Sequence, residues 1–165
     1  MESIQAQSTQ EPTEFTDGTD DGGRITAAGA LDALVDGVGI PRGTVILAAT
    51  PIGNTADASA RLIALMEGAD IVAAEDTRRL YALANRLGIH VSGHVVAYHD
   101  HNERDKADGL LDQVETGATV LVVSDAGMPT INDPGLAIVR RAIERGLPVT
   151  KIGRASCRER VCQYV

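Results

Sequence analysis

Aromatic residues are scarce in this sequence, and tryptophan is absent. Only 2% of the 165 residues are aromatic, although 44% are apolar. A hydrophobic core must therefore be built from alanine, valine, leucine and isoleucine, and the length allows one ordinary domain. Cysteine is also rare, because Cys157 and Cys162 are the only two and both lie near the end. This excludes a disulfide framework and favours a reducing cytoplasm.

Long apolar runs are missing as well. No segment approaches the roughly 20 residues that cross a membrane, and the first residues lack the plan of a signal peptide. We therefore expect a cytoplasmic protein with no membrane contact. The net charge of −8 argues against a simple nucleic-acid binder, but residues 1–24 alone hold six acids and one base, or −5. Residues 41–150 hold 14 acids and 10 bases, or −4, so a local basic face for RNA is not excluded.

The composition divides the chain into three regions. Residues 1–42 are predicted to be a disordered or weakly structured extension, because the first 24 have almost no aliphatic side chains. Residues 43–150 alternate apolar runs with amphipathic segments that end at glycine. This pattern predicts an α/β domain with a mostly parallel five-stranded sheet and flanking helices. The predicted strands are 44–49, 71–74, 95–98, 119–123 and one that starts at 148; the predicted helices are 57–67, 77–87, 103–115 and 135–145.

Ligands bind beyond the carboxyl ends of the strands in such a sheet, so the loops there are the candidate site. In the first loop, Pro51 fixes one torsion and Gly53 frees another, which lets a ligand approach the backbone. A plain strand-to-helix turn explains this loop equally well. In the second loop, the two carboxylates of Glu75 and Asp76 could bind a metal, accept a proton or receive a ribose hydroxyl. Asp76 could equally cap the helix that follows.

The third loop contains two histidines, His99 and His101, with Asp100 and Glu103 beside them. Nothing else in the chain completes a set of metal ligands, so we expect no metal site. A role in holding substrate or deprotonating a hydroxyl is more attractive for His99.

The fourth loop runs over residues 124–135 and is the most distinctive of the four. A loop this long and rigid between a buried strand and a helix is rarely only a connection. Its free backbone groups can bind a polar cofactor. A helix start at Asp133-Pro134 would account for the end of the loop but not for its beginning.

The four loops together resemble one family. The motifs occur, in order and at these spacings, in the methyltransferase I family of small-subunit ribosomal RNA ribose 2′-O-methyltransferases, within the tetrapyrrole-methylase superfamily. The likeness covers about residues 43–150. The motifs are Ala49-Thr50-Pro51-Ile52-Gly53-Asn54, Ala74-Glu75-Asp76-Thr77-Arg78, Tyr98-His99-x-His101-Asn102-Glu103 and Ser124-Asp125-Ala126-Gly127-x-Pro129-x-Ile131-x-Asp133-Pro134-Gly135. The sequence departs from the family at Asp100, Met128 and Asn132, where Glu, Thr and Ser are usual.

The resemblance implies an enzyme that transfers a methyl group from S-adenosyl-L-methionine to the 2′-hydroxyl of a cytidine in small-subunit (16S) rRNA. It implies a homodimer that acts on the rRNA or the 30S subunit. It also implies that His99 and Asp76 are catalytic, although the motifs do not identify the general base, and that Arg78 and Glu103 face the RNA. The implied cofactor-binding residues are Pro51, Gly53, Ser124, Asp125, Ala126, Gly127 and Met128.

The sequence departs from the family after residue 150. The family continues with a Pro-Gly-Pro-Ser-Ala loop and a second α/β domain, whereas residues 151–165 lack the periodicity of a strand or helix. The run from Ile152 to Cys162 resembles the translation of a DNA-sequencing adapter, so we interpret residues 151–165 as a non-native tail. The resemblance implies a cofactor cleft between two domains, so without the second domain this chain is expected to bind the cofactor weakly or not at all and to be inactive.

Two other functions compete with this interpretation. One is a methyltransferase of the same superfamily that acts on a porphyrin precursor or a protein, but such enzymes open with a glycine-rich first loop. The other is a non-catalytic nucleotide- or RNA-binding module. A genomic reading frame that continues past codon 151 into Pro-Gly-Pro-Ser-Ala would favour the enzyme over the module.

Overall fold

The computed structural model describes residues 33–99, 103–129 and 135–153, without the side chains of residues 103–105. Residues 33–36 form a short helical turn before the first strand. The predictions about residues 1–32 and 154–165 lie outside the described residues, as do those about Asp100, His101 and Asn132.

Five parallel strands form one sheet in the order β3-β2-β4-β1-β5. The two central strands, β1 and β4, are buried along their whole length, because helices cover both faces of the sheet. This double burial explains their uninterrupted apolar sequences. The strands are β1 Val45–Ala48, β2 Ile71–Ala74, β3 His94–Ala97, β4 Val120–Val123 and β5 Val149–Ile152. The predicted α/β fold with a five-stranded parallel sheet is confirmed.

Within the described residues, four helices flank the sheet, two on each face: α1 Ala60–Gly68, α2 Thr77–Leu87, α3 Glu103–Glu115 and α4 Leu136–Glu144. Right-handed crossovers put α1 and α2 on one face and α3 and α4 on the other. The side chains of β1 alternate accordingly: Ile46 packs in the core beneath α1 and α2, whereas Val45 packs in the core beneath α3 and α4. None of the helices in the described part of the chain is long and apolar enough to cross a membrane.

Local capping sets where the helices begin and end. The Asp76 side chain accepts a hydrogen bond from the backbone amide of Arg78 at the start of α2, and Gly88 ends that helix in the left-handed conformation, with φ +70°. The bounds of α2 therefore agree with the prediction. Helix α1 begins three residues later than predicted, because Ser59 caps it and Thr55–Asp57 form a separate 3₁₀ turn.

Strand β5 extends two residues beyond the predicted domain boundary at 150. Lys151 is aligned with Leu47 and Ile152 with Ala48, and Ile152 is buried. The prediction that a tail without strand structure begins at 151 was therefore wrong for these two residues. Charged side chains are common in edge strands, and the exposed Lys151 interrupts the apolar pattern that would reveal this one.

Candidate functional site

A cavity of about 350 Å³ lies at the edge of the sheet where the carboxyl ends of β2, β4 and β1 are neighbours. Its volume falls within the range of about 300–1,000 Å³ that is usual for small-molecule sites. The loops after these strands form one part of its wall, and one face of α2 forms the rest. The lining residues are Thr50, Pro51, Gly53, Asn54, Thr55, Ala74, Glu75, Asp76, Arg79, Leu80, Ala82, Leu83, Arg86, Val123, Ser124, Asp125 and Ala126.

The loops after β1 and β4 are joined by backbone hydrogen bonds. Thr50 and Gly127 form an antiparallel bridge, in which each amide donates to the other residue's carbonyl, at 2.9 and 3.1 Å. The Thr50 hydroxyl is buried and donates to the carbonyl of Ser124 at 3.1 Å. Gly127 has a φ of +85°, a conformation that side chains disfavour. The two loops therefore form one connected wall of the cavity.

The loops after β2 and β4 are joined mainly through Asp125. Its amide donates to Oε2 of Glu75 at 3.1 Å, and its Oδ1 accepts from the amide of Asp76 at 3.2 Å. Its other carboxylate oxygen lies 3.3 Å from Nε of Arg79 in α2. Asp125 thus connects two loops and a helix around the cavity.

The cavity combines three carboxylates with two guanidinium groups. Glu75, Asp76 and Asp125 supply the negative charge, and Arg79 and Arg86 the positive charge. Hydrogen bonds from the Arg78 side chain and amide hold the pKa of Asp76 below its ordinary value of 3.8, and Asp76 raises the pKa of Arg78 in turn. Asp76 is therefore ionised at neutral pH and acts as a hydrogen-bond acceptor.

Five of the seven residues predicted to bind a cofactor line this cavity: Pro51, Gly53, Ser124, Asp125 and Ala126. The other two come next in the chain. Gly127 forms the bridge to Thr50, and Met128 packs against the core beneath α3 and α4. A side chain at Gly153 would collide with the tip of Met128, so the end of β5 also adjoins this wall.

The residues predicted to be catalytic or to face RNA are more dispersed. Asp76 lines the cavity, but neither His99 nor Arg78 is among the described residues that do so. His99 follows the edge strand β3, two strands from β4 and so about 10 Å across the sheet. Glu103 is the first residue of α3, and its side chain lies outside the described part of the chain. No group of histidine, cysteine and carboxylate residues that could hold a metal occurs within residues 33–99, 103–129 and 135–153.

Sequence reasoning missed the contribution of α2 to the cavity. Arg79, Leu83 and Arg86 are spaced four and three residues apart, so they share one helix face, and that face lines the site. The spacing was readable from the sequence. The sequence alone does not state which face of α2 turns towards the site.

Residues 44–152 match the family of Tetrapyrrole (Corrin/Porphyrin) Methylases. Several similar proteins are named ribosomal RNA small subunit methyltransferase I. That of Mycobacterium tuberculosis (strain ATCC 25618 / H37Rv) is 51% identical over 108 residues, which cover 66% of this chain and 38% of that protein. That of Halalkalibacterium halodurans is 44% identical over 115 residues, which cover 70% of this chain and 39% of that protein. That of Escherichia coli O157:H7 is 41% identical over 111 residues, which cover 67% of this chain and 38% of that protein. The chain thus spans little more than a third of the length of these relatives.

The family match and the sheet have nearly the same bounds in the sequence. The match starts one residue before β1 and stops at the last residue of β5, so it includes the whole sheet and every loop that lines the cavity. Two thirds of the chain are covered, well beyond the four short motifs that predicted the relationship. The chain therefore belongs to the tetrapyrrole methylase family.

Proposed function

We propose that this chain is part of an S-adenosylmethionine-dependent methyltransferase that, as the intact protein, methylates the 2′-hydroxyl of a cytidine in 16S ribosomal RNA. The cavity at the carboxyl ends of β2, β4 and β1 is the observation that carries the proposal, because three of the four family motifs contribute to its wall. The names of the similar proteins support ribosomal RNA as the substrate. We also propose that the intact protein is cytoplasmic and forms a homodimer.

The groups in the cavity fit S-adenosylmethionine. The cofactor has a positive sulfonium, an amino-acid portion with both charges, a ribose and an adenine. The carboxylates of Glu75 and Asp125 suit its cationic groups and ribose hydroxyls, and Arg79 suits its carboxylate. Leu80 and Leu83 offer apolar surface for a flat ring.

The residues of this chain bind and orient the reactants. Bound S-adenosylmethionine supplies an electrophilic methyl carbon, and the transfer depends on alignment of that carbon with the attacking ribose oxygen. The bridge between Thr50 and Gly127 keeps the wall of the cavity preorganised. We assign to Asp76 a hydrogen bond from the target ribose of the RNA, and to His99 the removal of the proton from the 2′-hydroxyl of that ribose. Arg78 and Glu103 are assigned to the RNA.

A chimeric enzyme tests this function. Residues 44–152 of this chain would replace the corresponding segment of the Mycobacterium tuberculosis relative, which is 51% identical to this chain over 108 residues. The chimera would be incubated with radiolabelled S-adenosylmethionine and 30S subunits that lack the modification, and the methylated nucleosides would be separated by mass spectrometry. We expect 2′-O-methylcytidine. A folded chimera that methylates a base, or that transfers nothing where the unaltered relative is active, would refute the proposal.

A further inference from the structure

We propose that the outward surface of α2 binds an RNA strand and leads its ribose to the cavity. This inference rests on the proposed function and deepens it by naming the surface that recognises the substrate. The surface, called here the α2 ridge, consists of Arg78, Arg79, Tyr81, Asn85 and Arg86, all of them exposed.

The charge of α2 is opposite to that of its surroundings. The helix has three arginines and no acidic residue, or +3, within a region of residues 41–150 that totals −4. On the other face of the sheet, α3 has five acids and two bases, or −3. Contacts with phosphate dominate the affinity of proteins for nucleic acids. An RNA strand is therefore attracted to the α2 side of the domain.

Arg86 is the arginine of the ridge with the least compensated charge. Arg78 pairs with Asp76 and Arg79 with Asp125, at 3.1 and 3.3 Å, whereas no carboxylate in the described part of the chain lies within ion-pair distance of Arg86. Arg86 lies two turns along the helix from Arg79, or about 10 Å, and also borders the cavity. An unpaired, exposed guanidinium beside a substrate cavity suits a phosphate of the RNA backbone.

Tyr81 adds an aromatic surface to the ridge. The sequence has only four aromatic residues, and of the two that the structure describes, Tyr98 is buried while Tyr81 is 48% exposed. Tyr81 lies three residues after Arg78 and four before Asn85, so these three side chains share one face of the helix. Exposed aromatic rings between basic and amide side chains stack unpaired bases in many RNA-binding surfaces. The ridge therefore fits single-stranded RNA better than a duplex.

The ridge and the cavity are continuous, because Arg79 and Arg86 belong to both. A strand bound along α2 thus passes the mouth of the cavity. Its ribose would lie near Asp76, at the beginning of the helix, where the proposed methyl transfer takes place.

The test measures binding of a fluorescein-labelled 20-nucleotide single-stranded RNA from the decoding region to the 165-residue chain by anisotropy, without cofactor. We expect Arg86→Ala to weaken binding about fivefold at low salt and to reduce the slope of log K against log salt by about 0.7, the value for one phosphate contact. Arg140→Ala, which removes the same charge from an exposed position on α4, is the matched control and should leave the affinity and the slope nearly unchanged.

Tyr81 is tested with a conservative pair of variants. Tyr81→Leu removes the ring and should weaken binding roughly tenfold, whereas Tyr81→Phe keeps the stacking surface and should stay within about twofold of the unaltered chain. Thermal unfolding followed by circular dichroism confirms that each variant is folded. Equal effects of Arg86→Ala and Arg140→Ala, equal affinities of the two Tyr81 variants, or no RNA binding by the unaltered chain would overturn the inference.

These results are independent of the test of the function. If the chimera methylates RNA but the ridge variants bind normally, only the ridge is rejected. If the ridge variants lose RNA affinity while the chimera transfers no methyl group, the ridge is retained and the enzymatic proposal fails.

Discussion

The carboxylate of Asp125 accepts a hydrogen bond from the backbone amide of Asp76 at 3.2 Å, across 49 residues of sequence. The two residues follow neighbouring parallel strands, β4 and β2, whose carboxyl ends meet at one edge of the sheet. The Asp125 side chain thereby sets the position of the helix that begins at residue 77.

Replacing Asp125 should loosen the wall of the cavity. In Asp125→Ala, the amide of Asp76 and the guanidinium of Arg79 both lose their acceptor, so we expect a loss of about 1–2 kcal/mol in the free energy of unfolding. Asp125→Asn keeps an oxygen for the Asp76 amide and loses only an exposed ion pair, so its loss should be below about 1 kcal/mol. Urea titrations of the three proteins measure this order. An Asp125→Ala variant as stable as the original would contradict the role of the contact.

Replacing two glycines by alanine should have opposite effects on stability, because Gly127 has a positive φ whereas Gly109 lies in helix α3. Gly127→Ala places a side chain at φ +85° and near Ile52, so it should cost about 1–2 kcal/mol of stability. Gly109→Ala lies on the exposed side of α3 with open space around the new methyl group. It should add about 0.5–1 kcal/mol through helix propensity. Thermal unfolding of both variants provides the comparison, and a stabilising Gly127→Ala would show that the loop is not held in this conformation.

The ion pair between Asp76 and Arg78 predicts a dependence of stability on pH. The pKa of Asp76 is lowered below 3.8 in the folded chain, chiefly by hydrogen bonds from Arg78. Its contribution to stability is therefore complete above the unfolded value and is lost as the pH falls below 3.8 through the folded value. Asp76→Asn retains a good helix cap but not the charge. The melting temperature of the original should exceed that of Asp76→Asn at pH 6, and the difference should shrink towards pH 3; a constant difference would contradict the assignment.

Burial separates two aliphatic residues on the α3–α4 face. Leu111 of α3 is fully buried against the sheet, whereas Ile143 of α4 is 67% exposed. Leu111→Ala should lower the free energy of unfolding by about 2–5 kcal/mol, because it leaves a cavity in the core. Ile143→Ala should change it by less than about 0.5 kcal/mol. Denaturant titration distinguishes the two, and similar losses would mean that α4 packs differently.

Local signals allowed much of the fold to be predicted. Helix α2 was predicted to the residue, because Asp76 caps its start and Gly88 takes the left-handed conformation at its end. The buried strands β1 and β4 were found from their uninterrupted apolar sequences. Strand β5 was cut short, since Lys151 points to solvent from an edge strand and breaks the pattern. Local sequence patterns are therefore less reliable for an edge strand, in which an exposed charged residue can interrupt the apolar run.

The site was predicted less completely, for a topological reason. The loops were located from the ends of the strands, but the sequence does not state the strand order β3-β2-β4-β1-β5. That order brings Glu75 and Asp125 together and puts His99 just after the edge strand β3, outside the residues that line the cavity. The contribution of Arg79 and Arg86 likewise depends on which face α2 turns towards the site.

The place of β1 in the sheet has a consequence for synthesis of the chain. β1 is the first of the five described strands in the chain, yet it lies between β4 and β5, the last two of them. Its pairing therefore requires contacts about 75 and 100 residues away in sequence. Until residue 123 has left the ribosome, the backbone amides and carbonyls of Val45–Ala48 have no strand of this sheet to pair with on either edge. We expect the nascent domain to depend on chaperones during this interval and to complete its sheet late, when β4 and β5 close on both sides of β1.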